Sequence, residues 1–298
     1  MTGSMMQNPA PSLGRAALWM AAALTCFTTM AVSGREAGRV LATAEMLVWR
    51  SAIGFLIVIA VLGFTARGFA QVRTGRIGMH LFRNIGHFFG QYGWYYAVTL
   101  IPLAQVFALE FTSPIWVALV APLFLGERFS VMGLASIGLS FIGVLLVVGA
   151  FGAGFAAAFG EGQVWALLAS FGFALNMIAT KKLTGTETTL CIMFWLTLLQ
   201  APMGLIVAGG LPTIPPDMTT ALWVLALSVG GLGAHFCLTQ AFRYGDATVV
   251  VPMDFFRLPL IALVGMTFYA EPLAWNVLAG GALIFFGNWL NTRRAMAR

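Results

Sequence analysis

Long apolar runs, separated by a few polar or glycine-containing residues, recur ten times along the chain, and they are continuous rather than alternating. A membrane-spanning helix needs roughly 20 apolar residues and a barrel strand about 10 that alternate, so these runs select helices. The pattern predicts spans 1 to 5 at residues 16–33, 42–64, 79–99, 103–124 and 129–149. Spans 6 to 10 follow at 162–180, 189–209, 221–242, 247–268 and 273–291. Connections such as 100–102 and 125–128 are so short that consecutive spans are expected to lie side by side and antiparallel. The stretch GLPTIPPD at 210–217 reads as a rigid outer turn.

One unit is used twice. Residues 104–128 return as 248–272, and at a constant offset of 144 Glu110 falls on Asp254, Phe111 on Phe255, Phe124 on Phe268 and Glu127 on Glu271. Pro114 meets Pro259 after a slip of one residue. A self-match at half the chain length points to two halves built alike, a recurrent signature of transporters. The expected organisation is a disordered N-terminus (1–13), a first five-helix repeat (14–149), a linker (150–161), a second repeat (162–292) and a basic tail (293–298). Five spans per half force the second half upside down, so the fold class is an all-α polytopic membrane protein, ten transmembrane helices in two inverted five-helix repeats. The alternative for span 1 is a cleaved signal peptide, since Arg15 precedes it and Ala31-Val32-Ser33 resembles a cleavage site.

Composition agrees with this pattern: 60% of the 298 residues are hydrophobic and 9% charged, more apolar surface than a soluble core of this size hides. Positive charge is retained on the cytoplasmic side. With the N-terminus inside, the inner segments hold twelve of the 16 Lys and Arg residues, Arg83 among them, and the outer ones hold only Arg35 and Arg39. Both termini are therefore expected in the cytoplasm. The net charge of +6 comes from loops and the tail and forms no basic face with interleaved aromatics, so nucleic acid is not expected as a partner. Cys26, Cys191 and Cys237 lie in apolar runs and read as packing residues without a disulfide.

Candidate chemistry is concentrated in a few polar groups inside spans. Asn84, His87, Gln91 and Tyr95 follow one another at helical spacing and form a stripe along span 3 that should face a cavity. Gly86 and Gly90 make a small-residue ridge beside it for close helix approach. At the same offset Gly86 meets Gly230 and Gln91 meets His235, so span 8 offers an inverted counterpart, with Thr239 one turn on. Hydrogen bonds that only fix helix packing are the alternative for these groups. Trp165, near the end of span 6, is a further cavity candidate.

A charge inside a span costs about 2.5–3.5 kcal/mol and calls for a partner or a task. Arg50 and Glu110 sit at similar depths and are expected to pair, as are Asp254 and Arg257, three apart in span 9. These four are gate or ion-pair candidates. Glu127 and Glu271 each precede a span and read as carboxylates at its N-terminus. Pro102, Pro114, Pro252 and Pro259 are expected to bend spans 4 and 9. Sequence motifs for hydrolases, nucleotide binding or paired-cysteine metal centres are missing, and no cofactor or metal is expected.

The early arginine of span 2 (Arg50), the segment YAVTLIPLAQV leading to Pro114, Leu125-Gly126-Glu127, and the glycine-spaced span 5 (Gly133, Gly138, Gly143) together resemble the EamA-type drug/metabolite transporter superfamily, over residues 14–292. The resemblance is nearest to its aromatic and amino-acid exporters. It implies a bacterial inner-membrane carrier, working as a monomer among membrane lipids, that exports small molecules, amino acids first, by alternating access through a cavity between the halves. His87 is a candidate for proton coupling, with facilitated diffusion as the alternative. Export of hydrophobic cations and a channel are the competing functions.

Overall fold

The computed structural model describes residues 12–125, 131–154, 158–244, 250, 253–272 and 274–296. The expectations for residues 1–11, the Gly126-Glu127 turn, Pro252 and Arg298 lie outside the described residues. The helices are α1 (Leu13–Ala37), α2 (Thr43–Gly63), α3 (Ile77–Leu100), α4 (Leu103–Glu110), α5 (Ser113–Leu125), α6 (Val131–Val147), the one-turn α7 (Ala150–Ala153), α8 (Glu161–Thr184), α9 (Thr189–Ala208), α10 (Met218–Tyr244), α11 (Arg257–Tyr269) and α12 (Trp275–Met296), with a 3-10 turn at Gly68–Val72. No strand occurs among the described residues.

Five of these, α1, α2, α8, α9 and α10, are long and apolar enough by themselves to cross a bilayer. Helix α3 has 24 residues yet is absent from that set, because His80, Arg83, Asn84, His87 and Gln91 interrupt its apolar character. Large apolar side chains such as Leu56, Ile85, Phe141, Leu222 and Phe268 are exposed and form the lipid-facing belt.

The most extensive helix packing joins the halves rather than neighbours in sequence: α1 with α10, α3 with α8, α2 with α9, and α6 with α12. In terms of spans these pairs are 1 with 8, 3 with 6, 2 with 7 and 5 with 10. A twofold axis between the repeats exchanges the first two pairs and maps each of the others onto itself, so the pairing carries the signature of an inverted repeat. Short connections hold consecutive spans near one another, but glycine ridges decide which pack closely. A Cβ on Gly172 of α8 would lie 2.7 Å from the Gly86 carbonyl and 2.7 Å from the Gly90 amide nitrogen of α3. The expected ridge of span 3 thus receives α8.

Spans 4 and 9 are broken rather than bent, and the breaks coincide under the repeat offset. The turn Phe111-Thr112 separates α4 from α5, and Phe255-Phe256 precedes α11 after a helical turn at 253–254. Pro114 has no N–H to give the Glu110 carbonyl, so a continuous helix would strand that oxygen. The hydroxyl of Ser113 donates to it instead at 2.7 Å. Thr112 Oγ1 donates to the Leu109 carbonyl at 2.7 Å, and Asn288 Nδ2 of α12 donates to the Phe111 carbonyl at 2.7 Å. Side chains therefore satisfy each freed oxygen. Pro102 does not bend α4 but opens it, where no N–H is required.

Glu271 sits at a helix N-terminus, though not that of the span it precedes. Its carboxylate accepts from the Leu103 N–H of α4 (3.0 Å to Oε2) and forms an ion pair with Arg35 of α1. Arg35 also donates to the Val98 carbonyl at 2.7 Å and lies over the Tyr269 ring. One arginine and one carboxylate thereby tie α1, α3, α4 and the end of α11 at a single face.

If the α3–α8 contact sets the distance between the halves, Gly172→Ala should lower the thermal midpoint in detergent by the equivalent of about 1–3 kcal/mol. Gly138→Ala, on an exposed face with no atom within 4 Å of the new Cβ, should leave the midpoint unchanged or higher.

Candidate functional site

Between the halves lies a cavity of about 530 Å³. The sequence-derived candidates His87, Gln91, Tyr95, His235, Thr239, Arg50, Glu110, Asp254 and Arg257 all line it. They come from α2, α3, the end of α4, α10 and the start of α11, so both repeats supply the wall.

The charged groups gather at the two helix breaks. Arg257 Nη1 lies 3.1 Å from Glu110 Oε1, and Arg257 Nη2 lies 2.8 Å from Asp254 Oδ2. Trp94 Nε1 donates to the other oxygen of Glu110 at 2.8 Å. The guanidinium is enclosed by rings, with its carbon 4.4 Å from the Phe27 centroid and 5.0 Å from that of Phe111. The pair expected within span 9 is present. The pair expected between Glu110 and Arg50 is not, because Arg257 already occupies the carboxylate.

Arg50 lies instead against Gly231 of α10, where a Cβ would come within 2.7 Å of Nη2. Only glycine leaves room for the guanidinium there. Its Nε has no hydrogen-bond partner among the described residues, and the buried hydroxyl of Tyr95 stands close to the same guanidinium. Arg83, expected in an inner connection, is buried within α3 and lines the cavity, with Nε donating to Thr180 Oγ1 at 2.7 Å and Nη1 unpartnered among the described residues. It stands one turn before His87, so the polar stripe pointed to it and the charge count placed it wrongly.

The two histidines meet, with ring centroids 6.0 Å apart. The Gln200 amide and His87 Nδ1 share a hydrogen bond of 2.9 Å. The hydroxyl of Thr239 donates to the His235 carbonyl, which leaves its oxygen able to accept. Gln91 Oε1 is buried without a partner among the described residues.

Two candidates fall away from the cavity. Asn84 Nδ2 donates to the His80 carbonyl at 2.8 Å and the Trp195 carbonyl at 3.3 Å, a bridge from α3 to α9. Trp165 packs edge-on against Tyr92 and Tyr96, each 5.8 Å away, in the α3–α8 interface. Phe27, Trp94, Phe173 and Asn176, not among the sequence-derived candidates, also line the cavity. Trp94 flanks Tyr95 and was the residue most open to inference.

The two ends of the cavity are lined differently. Tyr95 and Trp94 bound it on the side of the Arg35–Glu271 contact, while Arg83, Thr180 and Thr239 line it toward the first turns of α3. A second, smaller recess of about 170 Å³ shares Arg50, Arg83, Thr180, His235 and Thr239 and reaches Thr189 at the start of α9.

A solute chamber between inverted repeats is the architecture of a carrier, and comparison with known proteins agrees. The model of the EamA-like transporter family matches residues 14–149 and again 160–293. The chain belongs to the EamA-like transporter family. Among its relatives, a riboflavin transporter of Rhizobium johnstonii is 31% identical over 286 residues, 95% of this chain and 92% of the relative. The pseudopaline exporter CntI of Pseudomonas aeruginosa is 28% identical over 87% of this EamA-like chain and 89% of its own. An S-adenosylmethionine uptake transporter of Rickettsia felis is 23% identical, covering 89% and 88%. A crystal structure at 21% identity superposes with a TM-score of 0.62 over 96% of this chain and 99% of that one, which shows a shared fold.

The revised pairing has a thermodynamic consequence. A double-mutant cycle of Glu110→Gln with Arg257→Gln, read from SDS unfolding in mixed micelles, should give a coupling of about 1–3 kcal/mol. The same cycle of Glu110→Gln with Arg50→Gln should give less than about 0.5 kcal/mol.

Proposed function

We propose that this EamA-like protein is a secondary carrier that moves small metabolites by alternating access, and that its solutes combine a flat ring with carbonyl or carboxylate acceptors. The observation that carries this reading is the pairing of cationic donors with ring faces in one chamber. Arg50 Nε and Arg83 Nη1 have no acceptor among the described residues, and Phe27, Trp94, Tyr95 and Phe173 stand beside them. An unpaired buried donor is costly, and a solute acceptor removes that cost.

Riboflavin, the solute named for the rhizobial relative, has this chemistry and is the first one to test. The second reading is amino-acid export, aromatic ones included. It is favoured by Asp254 Oδ1, a carboxylate oxygen without a partner among the described residues, which would take an ammonium while Arg50 takes a carboxylate. Three arginines against two carboxylates make simple lipophilic cations a poorer fit. In this reading the protein sits in a bacterial inner membrane with both termini in the cytoplasm, as the excess of inner Lys and Arg favours. The chamber would then be accessible from the cytoplasm past Arg83, Thr180 and Thr239. His87 and His235, facing each other, are the groups through which a proton would couple to transport.

Counterflow into liposomes holding the purified protein tests this, with labelled riboflavin, aromatic amino acids and S-adenosylmethionine in separate arms, with and without a pH gradient. Saturable riboflavin exchange is expected, with the half-saturating concentration raised at least tenfold by Arg50→Gln, the loss expected for a hydrogen bond to a charged group. Exchange confined to amino acids would replace the first reading with the second. No exchange of any solute by folded protein would overturn both.

A further inference from the structure

Away from the substrate chamber, three side chains of different chemistry converge where the start of α3 meets the turn between α8 and α9. They are His80, Glu187 and Cys191, and their nearest nitrogen, oxygen and sulfur atoms all lie within 4.8 Å of one another. The Cys191 thiol donates to Glu187 Oε2 at 3.2 Å. His80 is completely buried, and neither ring nitrogen has a hydrogen-bond partner among the described residues. A neutral imidazole carries one donor and one acceptor, so burying both unused is rare unless something else occupies them.

The surroundings hold these groups in place. Thr188 caps α9 by accepting from the Cys191 N–H at 3.1 Å, which fixes the thiol in the first turn. Glu187 stands just before this cap, and its carboxylate reaches back over the first turn of α9 to accept from the thiol. Thr74 Oγ1 donates to Glu187 Oε1 at 2.6 Å, the type of outer contact that orients a ligating carboxylate. Arg76 Nη1 donates to the Lys182 carbonyl at 2.8 Å and to Thr186 Oγ1 at 3.1 Å, tying the start of α3 to the end of α8. The ring of His80 rests against Trp195, with centroids 5.9 Å apart.

We propose that His80, Glu187 and Cys191 form a binding site for a thiophilic divalent first-row cation, Zn²⁺ foremost, that staples α3 of the first repeat to the α8–α9 turn of the second. The donor set of imidazole nitrogen, carboxylate oxygen and thiolate sulfur is one that Zn²⁺ accepts, with a fourth position for water. On binding, the Cys191 thiol proton goes to solvent, and thiolate plus carboxylate balance the two charges of the ion. Tetrahedral coordination sets ligand atoms roughly 3.4–3.6 Å apart. The Cys191–Glu187 distance is near that already, and rotation of the His80 ring and the Glu187 carboxylate closes the remainder. Arg76 and Arg83 are the neighbouring cations, and both are engaged by hydrogen bonds to α8 or the turn after it. Sequence motifs did not disclose the site because position 80 is more than a hundred residues from its partners.

The test uses the full chain in detergent with Cys26→Ser and Cys237→Ser, so that Cys191 is the sole thiol, titrated with Co²⁺ as a spectroscopic stand-in. One Co²⁺ per chain with a thiolate-to-cobalt charge-transfer band, bleached by Zn²⁺, is expected. Cys191→Ser should abolish the band, and His80→Gln and Glu187→Gln should each weaken binding at least tenfold. Glu187 is only partly buried, so its variant keeps the question answerable if His80→Gln fails to fold. Absence of the band in protein that elutes as folded, or parent-like affinity in Glu187→Gln, would overturn the site.

Discussion

Arg257, Glu110 and Asp254 bring charge into the middle of the fold, and they meet where the two broken helices approach. Leaving a buried charge without its partner costs about 3–5 kcal/mol, so this contact constrains how α4 and α11 lie. The contact depends in turn on the breaks. Pro114 interrupts one backbone ladder and local side chains repair it, which frees the end of α4 to present a carboxylate rather than another turn of helix. The result joins the repeats at their centre through charge, while the glycine contacts of α3 with α8 join them at the flank through close packing.

The two ends of the chamber are built differently. At one end Arg35 bridges the last turns of α1 and α3 to Glu271, which in turn caps α4. At the other end Arg83, Thr180 and Thr239 line the wall, Arg83 and Arg76 donate from the start of α3 to α8, and Thr239 is exposed. A carrier alternates by exchanging which end is sealed. The Arg35–Glu271 contact is suited to that role because it joins first-half helices to the end of α11, and because a largely buried ion pair weakens once water reaches it.

Much of this architecture was legible from residues alone. The repeat offset of 144 puts the two helix breaks in register, Phe111-Thr112 with Phe255-Phe256, where the prolines had suggested only bends. The stripe of His87, Gln91 and Tyr95 faced the chamber because helical periodicity dictates a common face. What failed was partner choice. Glu110 is equally able to meet Arg50 or Arg257 by depth in the membrane, and only the crossing of α4 with α11 decides between them. Glu271 was read correctly as a helix-capping acid, yet it caps a helix of the other repeat, a relation no linear pattern contains. Arg83, within the predicted span 3, was counted with the inner segments as an orientation charge, whereas it is buried against α8 and lines the cavity.

The central claim is that solute passes through the chamber only when the Arg35–Glu271 end opens. The direct measurement is counterflow by protein carrying Arg35→Cys and Glu271→Cys, before and after bridging the two thiols through disulfides with a short bis-methanethiosulfonate, with Cys26, Cys191 and Cys237 replaced by serine. The account predicts that the bridge abolishes exchange, that reducing it restores exchange, and that the bridged protein still binds solute from the side of Arg83 and Thr239. Exchange at the unbridged rate while the bridge is intact would contradict it.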